Sequence, residues 1–216
     1  DVEAEKASGL IEVIGEAIDA EYLKEVKDVN INPALIEEFG KDMKIVYTPL
    51  HGTGEMLARR ALAQAGFDSV QVVEAQATPD PDFSTVKSPN PESQAAFALA
   101  EELGRKVGAD VLVATDPDAD RVGVEVLQKD GSYLNLSGNQ IGAIMAKYIL
   151  EAHKNAGTLP ENAALCKSIV STDLVTKIAE SYGATMFNVL TGFKFIAEKI
   201  QEFEEKHNHT YMMGFE

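Results

Sequence analysis

Asp116, Asp118 and Asp120 occupy alternate positions in Ala114-Thr115-Asp116-Pro117-Asp118-Ala119-Asp120-Arg121-Val122, so three carboxylates can turn toward one point on a tight, proline-stiffened loop. Without a cation they repel one another. Mg²⁺ takes hard oxygen ligands, and usually completes its octahedron with water or a substrate phosphate oxygen. Three aspartates with Mg²⁺ leave one negative charge, which the adjacent Arg121 can offset while its planar fork reaches for phosphate. The predicted chemistry is magnesium-dependent phosphoryl transfer.

Three other readings compete for the same residues. An EF-hand loop also spaces its first ligands two apart, but it needs Gly at position six and Glu at position twelve; those positions hold Arg121 and Leu127. A self-sufficient aspartyl phosphatase of the haloacid-dehalogenase type places a nucleophilic Asp and a helper Asp two residues on, directly after an apolar strand. Asp116 and Asp118 fit that spacing, whereas a third Asp followed by Arg departs from it. The blandest alternative is a solvated acidic turn, or a metal or sugar-phosphate binding module with no catalysis.

Two further segments offer groups for an anion. Thr48-Pro49-Leu50-His51-Gly52-Thr53-Gly54 joins a predicted strand to a predicted helix, an arrangement in which backbone amides face a phosphate and His51 can add a donor. A tight turn explains the glycine pair equally well. Thr191-Gly192-Phe193-Lys194 opens another predicted helix, and a lysine there opposes the helix dipole unless an anion is present. Lys194 is therefore a candidate phosphate or sugar ligand.

The elements that must position these groups read as α/β. Ala109–Val113 before the aspartates is a short apolar run suited to a buried parallel strand, and Val122, Val124 and Val126 alternate after them. Residues 44–48 and 69–73 read as the preceding strands. The helix between them is closed by Gly66, and the helix before the third strand is closed by Gly108. The 122–127 and 133–136 segments form a hairpin at an antiparallel edge. Upstream, Leu10, Val13, Ile14, Ala17 and Ile18 make a helical stripe, Asp19 is a candidate N-cap, and Asn32-Pro33 opens a short helix ended by Gly40. In the long 75–91 loop, Asn90-Pro91 reads as N-cap and first helical residue. After Ser137-Gly138-Asn139 a second unit follows: a long helix, strand 165–171, Asp173 as N-cap, a helix, strand 184–189, the Lys194 helix and strand 211–215. The expectation is two consecutive three-layer α/β units with mixed, mostly parallel sheets. Residues 1–18 belong to the end of a preceding domain or linker, 19–137 to the metal-binding domain and 138–216 to a second domain cut off at its C-terminal loop.

The chain has 216 residues, 45% of them hydrophobic, enough for a proper core. A formal charge of −16 argues against nucleic-acid and anionic-membrane partners. The single cysteine, Cys166, excludes an internal disulfide framework, and no long apolar run or signal-like start occurs. A cytoplasmic setting is expected.

Asp-Pro-Asp-Ala-Asp-Arg at 116–121, Thr-Pro-Leu-His-Gly-Thr-Gly at 48–54, Pro-Asn-Pro-Glu at 89–92, Thr-Gly-Phe-Lys-Phe-Ile at 191–196 and Gly-Phe-Glu at 214–216 together resemble the α-D-phosphohexomutases, phosphoglucomutase-like before phosphomannomutase-like. The resemblance implies the middle two of four domains. It implies that Asp116, Asp118 and Asp120 hold Mg²⁺, with Arg121 beside it, and that an active-site phosphoserine exchanges phosphate with the sugar through a bisphosphorylated intermediate. Thr191, Gly192 and Lys194 would line the substrate pocket opposite Glu216, whose carboxylate would accept from sugar hydroxyls. Phe215, inserted between Gly214 and Glu216, leans toward glucose 1-phosphate and glucose 6-phosphate as substrates. No Thr-Ala-Ser-His-Asn-Pro phosphoserine loop occurs in the 216 residues. The catalytic nucleophile and the phosphate clamp are therefore expected from flanking domains of the same polypeptide, and the chain alone is expected to turn nothing over.

Overall fold

The computed structural model describes residues 1–216 and contains two sheets. The first is built from β1 (Lys44–Thr48), β2 (Ser69–Val72), β3 (Val111–Thr115), β4 (Val122–Leu127) and β5 (Tyr133–Leu136) in the order β2-β1-β3-β4-β5. β1 runs parallel to β2 and β3, while the β3–β4 and β4–β5 pairs are antiparallel. The second sheet, β7-β6-β8, is all parallel, with β6 (Ala163–Ser168) between β7 (Thr185–Val189) and β8 (Thr210–Phe215). Every residue of β6 is buried, as a central parallel strand covered on both faces requires.

The helices are α1 (Val2–Ala7), α2 (Gly15–Asp28), α3 (Pro33–Phe39), α4 (Glu55–Ala65), α5 (Glu74–Ala77), α6 (Ala98–Val107), α7 (Gly138–Ala156), α8 (Leu174–Ser181) and α9 (Phe193–Lys206), with a 3₁₀ turn at Gln94–Phe97. In the first unit Phe97 and Ala100 pack on Val46, Leu112 and Tyr133. In the second, α7 and α8 cover one face of the sheet through Ala146, Leu150 and Val175 against Leu165, and α9 covers the other through Ile196 and Phe203 against Ala164 and Cys166. This is the mixed α/β architecture read from the sequence, and it sets the loops after β1, β3, β6, β7 and β8 at strand carboxyl ends, where open α/β sheets place ligands. Gly66 and Gly108 end α4 and α6 in left-handed conformations, and Ser137 with Gln140 forms a reciprocal capping box on α7.

Two expected caps lie elsewhere in the structure, and a third keeps its place but not its bond. α2 opens at Gly15 without a side-chain cap, so Asp19 lies inside it and faces Arg60 at 3.6 Å. Asn90 closes a local turn, accepting from the Glu92 amide at 3.0 Å, and the α-helix waits until Ala98. Asp173 stands at the N-cap of α8 as expected, but its carboxylate makes no capping bond and meets Lys167 at 3.2 Å. The 10–18 stripe is also not a buried face: Leu10, Val13, Ile14 and Ile18 are exposed, and the first three precede α2.

One buried charge shapes the pH dependence of stability. Glu125 on β4 is fully buried, its Oε1 accepts from Asn135 Nδ2 at 3.2 Å, and its Oε2 has no partner. Burial, with the nearby Glu101 charge, raises its pKa. Folding thus favours the protonated carboxyl, and the stability this contributes is lost as pH rises past the ordinary carboxylate value and through the raised one. Glu125→Gln keeps the acceptor for Asn135 without the charge. It is expected to raise Tm by several degrees near neutral pH and to leave Tm nearly unchanged at about pH 4. Thermal denaturation of both forms across that range checks this, and an equal shift at both ends counts against it.

Candidate active site

The aspartate loop is folded by its own charges. Asp116, at the end of β3, is fully buried; its Oδ1 accepts from the Arg121 amide at 2.9 Å and its Oδ2 from Arg121 Nε at 2.8 Å. Arg121 Nε also lies 3.6 Å from Asp120 Oδ1. Ala119 takes a left-handed φ of 60°, a conformation costing a non-glycine residue about 1–2 kcal/mol, and its amide donates to the Asp116 carbonyl at 3.0 Å. The reversal brings ligand oxygens of Asp116, Asp118 and Asp120 within 4.8 Å of one another, with Asp118 and Asp120 exposed.

Burial acts to raise the Asp116 pKa, but the Arg121 amide and guanidinium outweigh it and hold the carboxyl below its ordinary value. For Asp120, partial loss of solvent and the Asp116 and Asp118 charges push the other way, so its pKa is raised. That mutual repulsion is what a divalent cation would relieve. Oxygens around Mg²⁺ at about 2.1 Å sit about 3 Å apart when adjacent and about 4.2 Å when opposite, so a trio within 4.8 Å could close on the ion by rotation of the exposed Asp118 and Asp120 side chains. A carboxylate has about four lone-pair sites, and Arg121 uses two of those on Asp116. An aspartyl phosphatase would need Asp116 free as the nucleophile; with both oxygens held by Arg121 and the residue buried, that alternative is not favoured.

The loop after β1 braces this reversal. Thr53 donates its amide to the Pro117 carbonyl at 2.8 Å and its hydroxyl to the same oxygen at 3.2 Å. A Cβ on Gly52 would lie 2.4 Å from Pro117 Cα, so only glycine allows the approach. Tyr47 Oη and Thr115 Oγ1 meet at 2.8 Å beneath Gly54. Between the loops lies a cleft of about 540 Å³ walled by Thr53, Ser88, Asn90, Asp116, Asp118 and Arg121, with the rings of Pro89 and Pro117 between them. The terminal amino groups of Arg121 hydrogen-bond nothing in the chain, and its side chain is about half exposed.

His51 is placed differently from the expected anion donor. It is buried, its Nδ1 donates to the Thr78 carbonyl at 3.1 Å, and its Nε2 meets Thr85 Oγ1 at 2.7 Å. With both ring nitrogens engaged, it has no donor left for a phosphate.

In the second unit, the Gly192 amide at the start of α9 donates to Glu216 Oε1. The end of β8 is thereby joined to the loop that carries Thr191, Gly192 and Lys194. Lys194 forms no ion pair; its Nζ lies 4.9 Å from the centre of the Phe195 ring. Missed from sequence is Lys167, a fully buried lysine on the central strand β6, whose Nζ donates to the Ser171 carbonyl at 2.9 Å and pairs with Asp173. In register it lies between Asn188 of β7 and Phe215 of β8, next to both candidate substrate loops. A lysine inside the apolar Ala-Ala-Leu-Cys run was the available signal.

Residues 20–129 match the model for phosphoglucomutase/phosphomannomutase alpha/beta/alpha domain II, and residues 137–216 match that for domain III. A phosphoglucomutase of Staphylococcus aureus is 39% identical over 167 residues, 77% of this chain and 30% of the relative; that of Staphylococcus haemolyticus is 39% identical over 170 residues, 79% and 30%. The chain therefore spans less than a third of these relatives' length. Among solved structures, a putative phosphomannomutase from Thermus thermophilus superposes with a TM-score of 0.64 at 20% identity, covering 91% of this chain and 40% of the other. A phosphoglucomutase/phosphomannomutase family protein from Burkholderia thailandensis gives 0.57 at 20%, covering 87% and 38%.

Proposed function

The chain belongs to the phosphoglucomutase/phosphomannomutase family, and on that premise we propose that it forms the metal-binding and sugar-binding portion of a cytoplasmic enzyme that interconverts a hexose 1-phosphate and its 6-phosphate, glucose being the favoured sugar. The observation that carries this reading is the carboxylate trio of Asp116, Asp118 and Asp120, gathered beside Arg121 at an open cleft that Asp116, Asp118 and Arg121 help to line. The trio would hold Mg²⁺, whose chemistry when bound is to neutralise charge on a phosphate oxygen. Arg121 fixes Asp116 through its amide and Nε, which leaves its terminal amino groups for an anion.

Thr191, Gly192, Lys194 and Glu216 are the sugar-recognising set in this proposal. Lys194, without an ion pair, supplies a positive charge for phosphate, and the Glu216 oxygen not held by Gly192 accepts from sugar hydroxyls. The nucleophilic phosphoserine and the remaining phosphate contacts come from flanking parts of a longer polypeptide, since no Thr-Ala-Ser-His-Asn-Pro segment lies within these residues.

³¹P NMR of the full-length polypeptide with Mg²⁺ and glucose 1-phosphate tests the reading. Conversion to glucose 6-phosphate that stops on chelation and restarts with Mg²⁺ is expected, and the 216-residue chain alone should show none. Hydrolysis of a generic phosphomonoester by the isolated chain, abolished by Asp116→Asn, would overturn the proposal in favour of a phosphatase.

A further inference from the structure

Residues 78–93 run past the aspartate loop and supply Ser88 and Asn90 to the cleft wall. A continuous hydrogen-bond chain fixes the base of this segment. The Leu50 amide donates to Thr48 Oγ1, and the Thr48 hydroxyl donates to Gln76 Oε1 at 2.7 Å. Gln76 Nε2 donates to Thr85 Oγ1 at 3.1 Å, and the Thr85 hydroxyl is left for His51 Nε2. His51 Nδ1 closes the chain on the Thr78 carbonyl. The far end is held separately, because a Cβ on Gly123 would lie 2.1 Å from the Pro91 carbonyl oxygen, so Pro91 sits directly on β4.

The backbone is bent to make this possible. Leu50 and His51 are consecutive non-glycine residues in the left-handed region, with φ of 47° and 64°. The His51 amide donates to the Gln76 carbonyl at 2.9 Å, so the turn is held by the same residue that the side-chain network uses. Strained turns of this kind persist where the surroundings over-determine them, and they cluster at functional sites. Here the turn aims His51 away from the aspartates and toward the 78–90 segment.

We propose that His51 is a positioning residue which, through Thr85 and Thr78, sets residues 85–90 as a preformed wall for the phosphate end of the substrate, an inference that rests on the sugar-phosphate reading above. The wall exists before substrate arrives, so its effect falls on substrate binding and not on the metal ligands.

Thr85 is exposed, and its substitution should leave folding intact. Thr85→Val removes the hydroxyl shared by His51 and Gln76 at nearly constant shape, and Thr85→Ser restores it. Two measurements are made on the full-length protein: tryptic cleavage at Lys87-Ser88, identified by mass, and steady-state isomerisation. Thr85→Val is expected to raise the cleavage rate and KM for glucose 1-phosphate roughly 10- to 100-fold each, the worth of the two hydrogen bonds the hydroxyl makes. Values of kcat and Mg²⁺ affinity should stay near those of the unmodified protein, and Thr85→Ser should behave like it throughout. Cleavage of Thr85→Val at the unmodified rate overturns the clamp, and raised cleavage with unchanged KM overturns the wall. Absence of turnover in the unmodified protein overturns the sugar-phosphate reading and the substrate half of the proposal, while the cleavage comparison still decides the clamp.

Discussion

Replacing Asp118 and Asp120 together by alanine is expected to abolish measurable Mg²⁺ binding and to lower kcat of the full-length enzyme on the order of 10³-fold, the scale on which a developing charge loses a preorganised stabiliser. Both side chains are exposed, and neither holds the loop together; that task falls to Asp116 and Arg121. The loss should therefore come without unfolding. Without metal the variant should melt slightly higher than the parent, because the partial desolvation of Asp120 and its repulsion by Asp116 and Asp118, which together raise its pKa, are gone. Calorimetric titration with Mg²⁺ and thermal denaturation separate the two effects. Undiminished Mg²⁺ affinity in the double variant would remove the aspartate loop from the mechanism.

Gly52→Ala should be nearly as damaging by a different route. Its φ is not left-handed, so alanine meets no conformational objection at position 52. The objection is contact: the new Cβ would lie 2.4 Å from Pro117 Cα and 2.6 Å from its carbonyl oxygen, both backbone atoms that cannot rotate away. The two loops must separate, which breaks the Thr53 bonds to Pro117 and moves the residue between Asp116 and Asp118. Overpacking and the lost hydrogen bond together should cost about 2–4 kcal/mol. Mg²⁺ affinity should fall with it, although no ligand has changed. A urea midpoint and Mg²⁺ affinity both equal to the parent's would show that the loops do not need this approach.

Much of this was legible in the sequence because it is local. The strand–loop–strand around Asp116 follows from Val and Leu on either side of a proline-stiffened acidic turn, and Gly66 and Gly108 mark the helix ends they in fact close. Asn32-Pro33 opens α3 and Asp173 stands at the start of α8 as read; what the sequence hid is the partner that a short polar side chain takes when it has more than one physical use. Asp19, Asn90 and Asp173 all carry the capping signal, since Asn and Asp favour caps and turns alike. Arg60 and Lys167, distant or buried, take Asp19 and Asp173, and a turn takes Asn90. The His51 ring likewise has other partners in the fold. Its partner Thr85 lies 34 residues downstream, and nothing in Pro-Leu-His-Gly announces two consecutive left-handed residues.

The sole cysteine has a practical consequence. Cys166 is fully buried on β6, and burial pushes its thiol up to about 11, so at neutral pH only about one molecule in 10⁴ carries the reactive thiolate. To a maleimide dye the native chain is in effect thiol-free. A fluorophore can thus be attached at one chosen position, such as Lys87→Cys, without first removing the natural cysteine from the packed centre of a sheet. The cleft wall can then be watched in real time against an otherwise silent background.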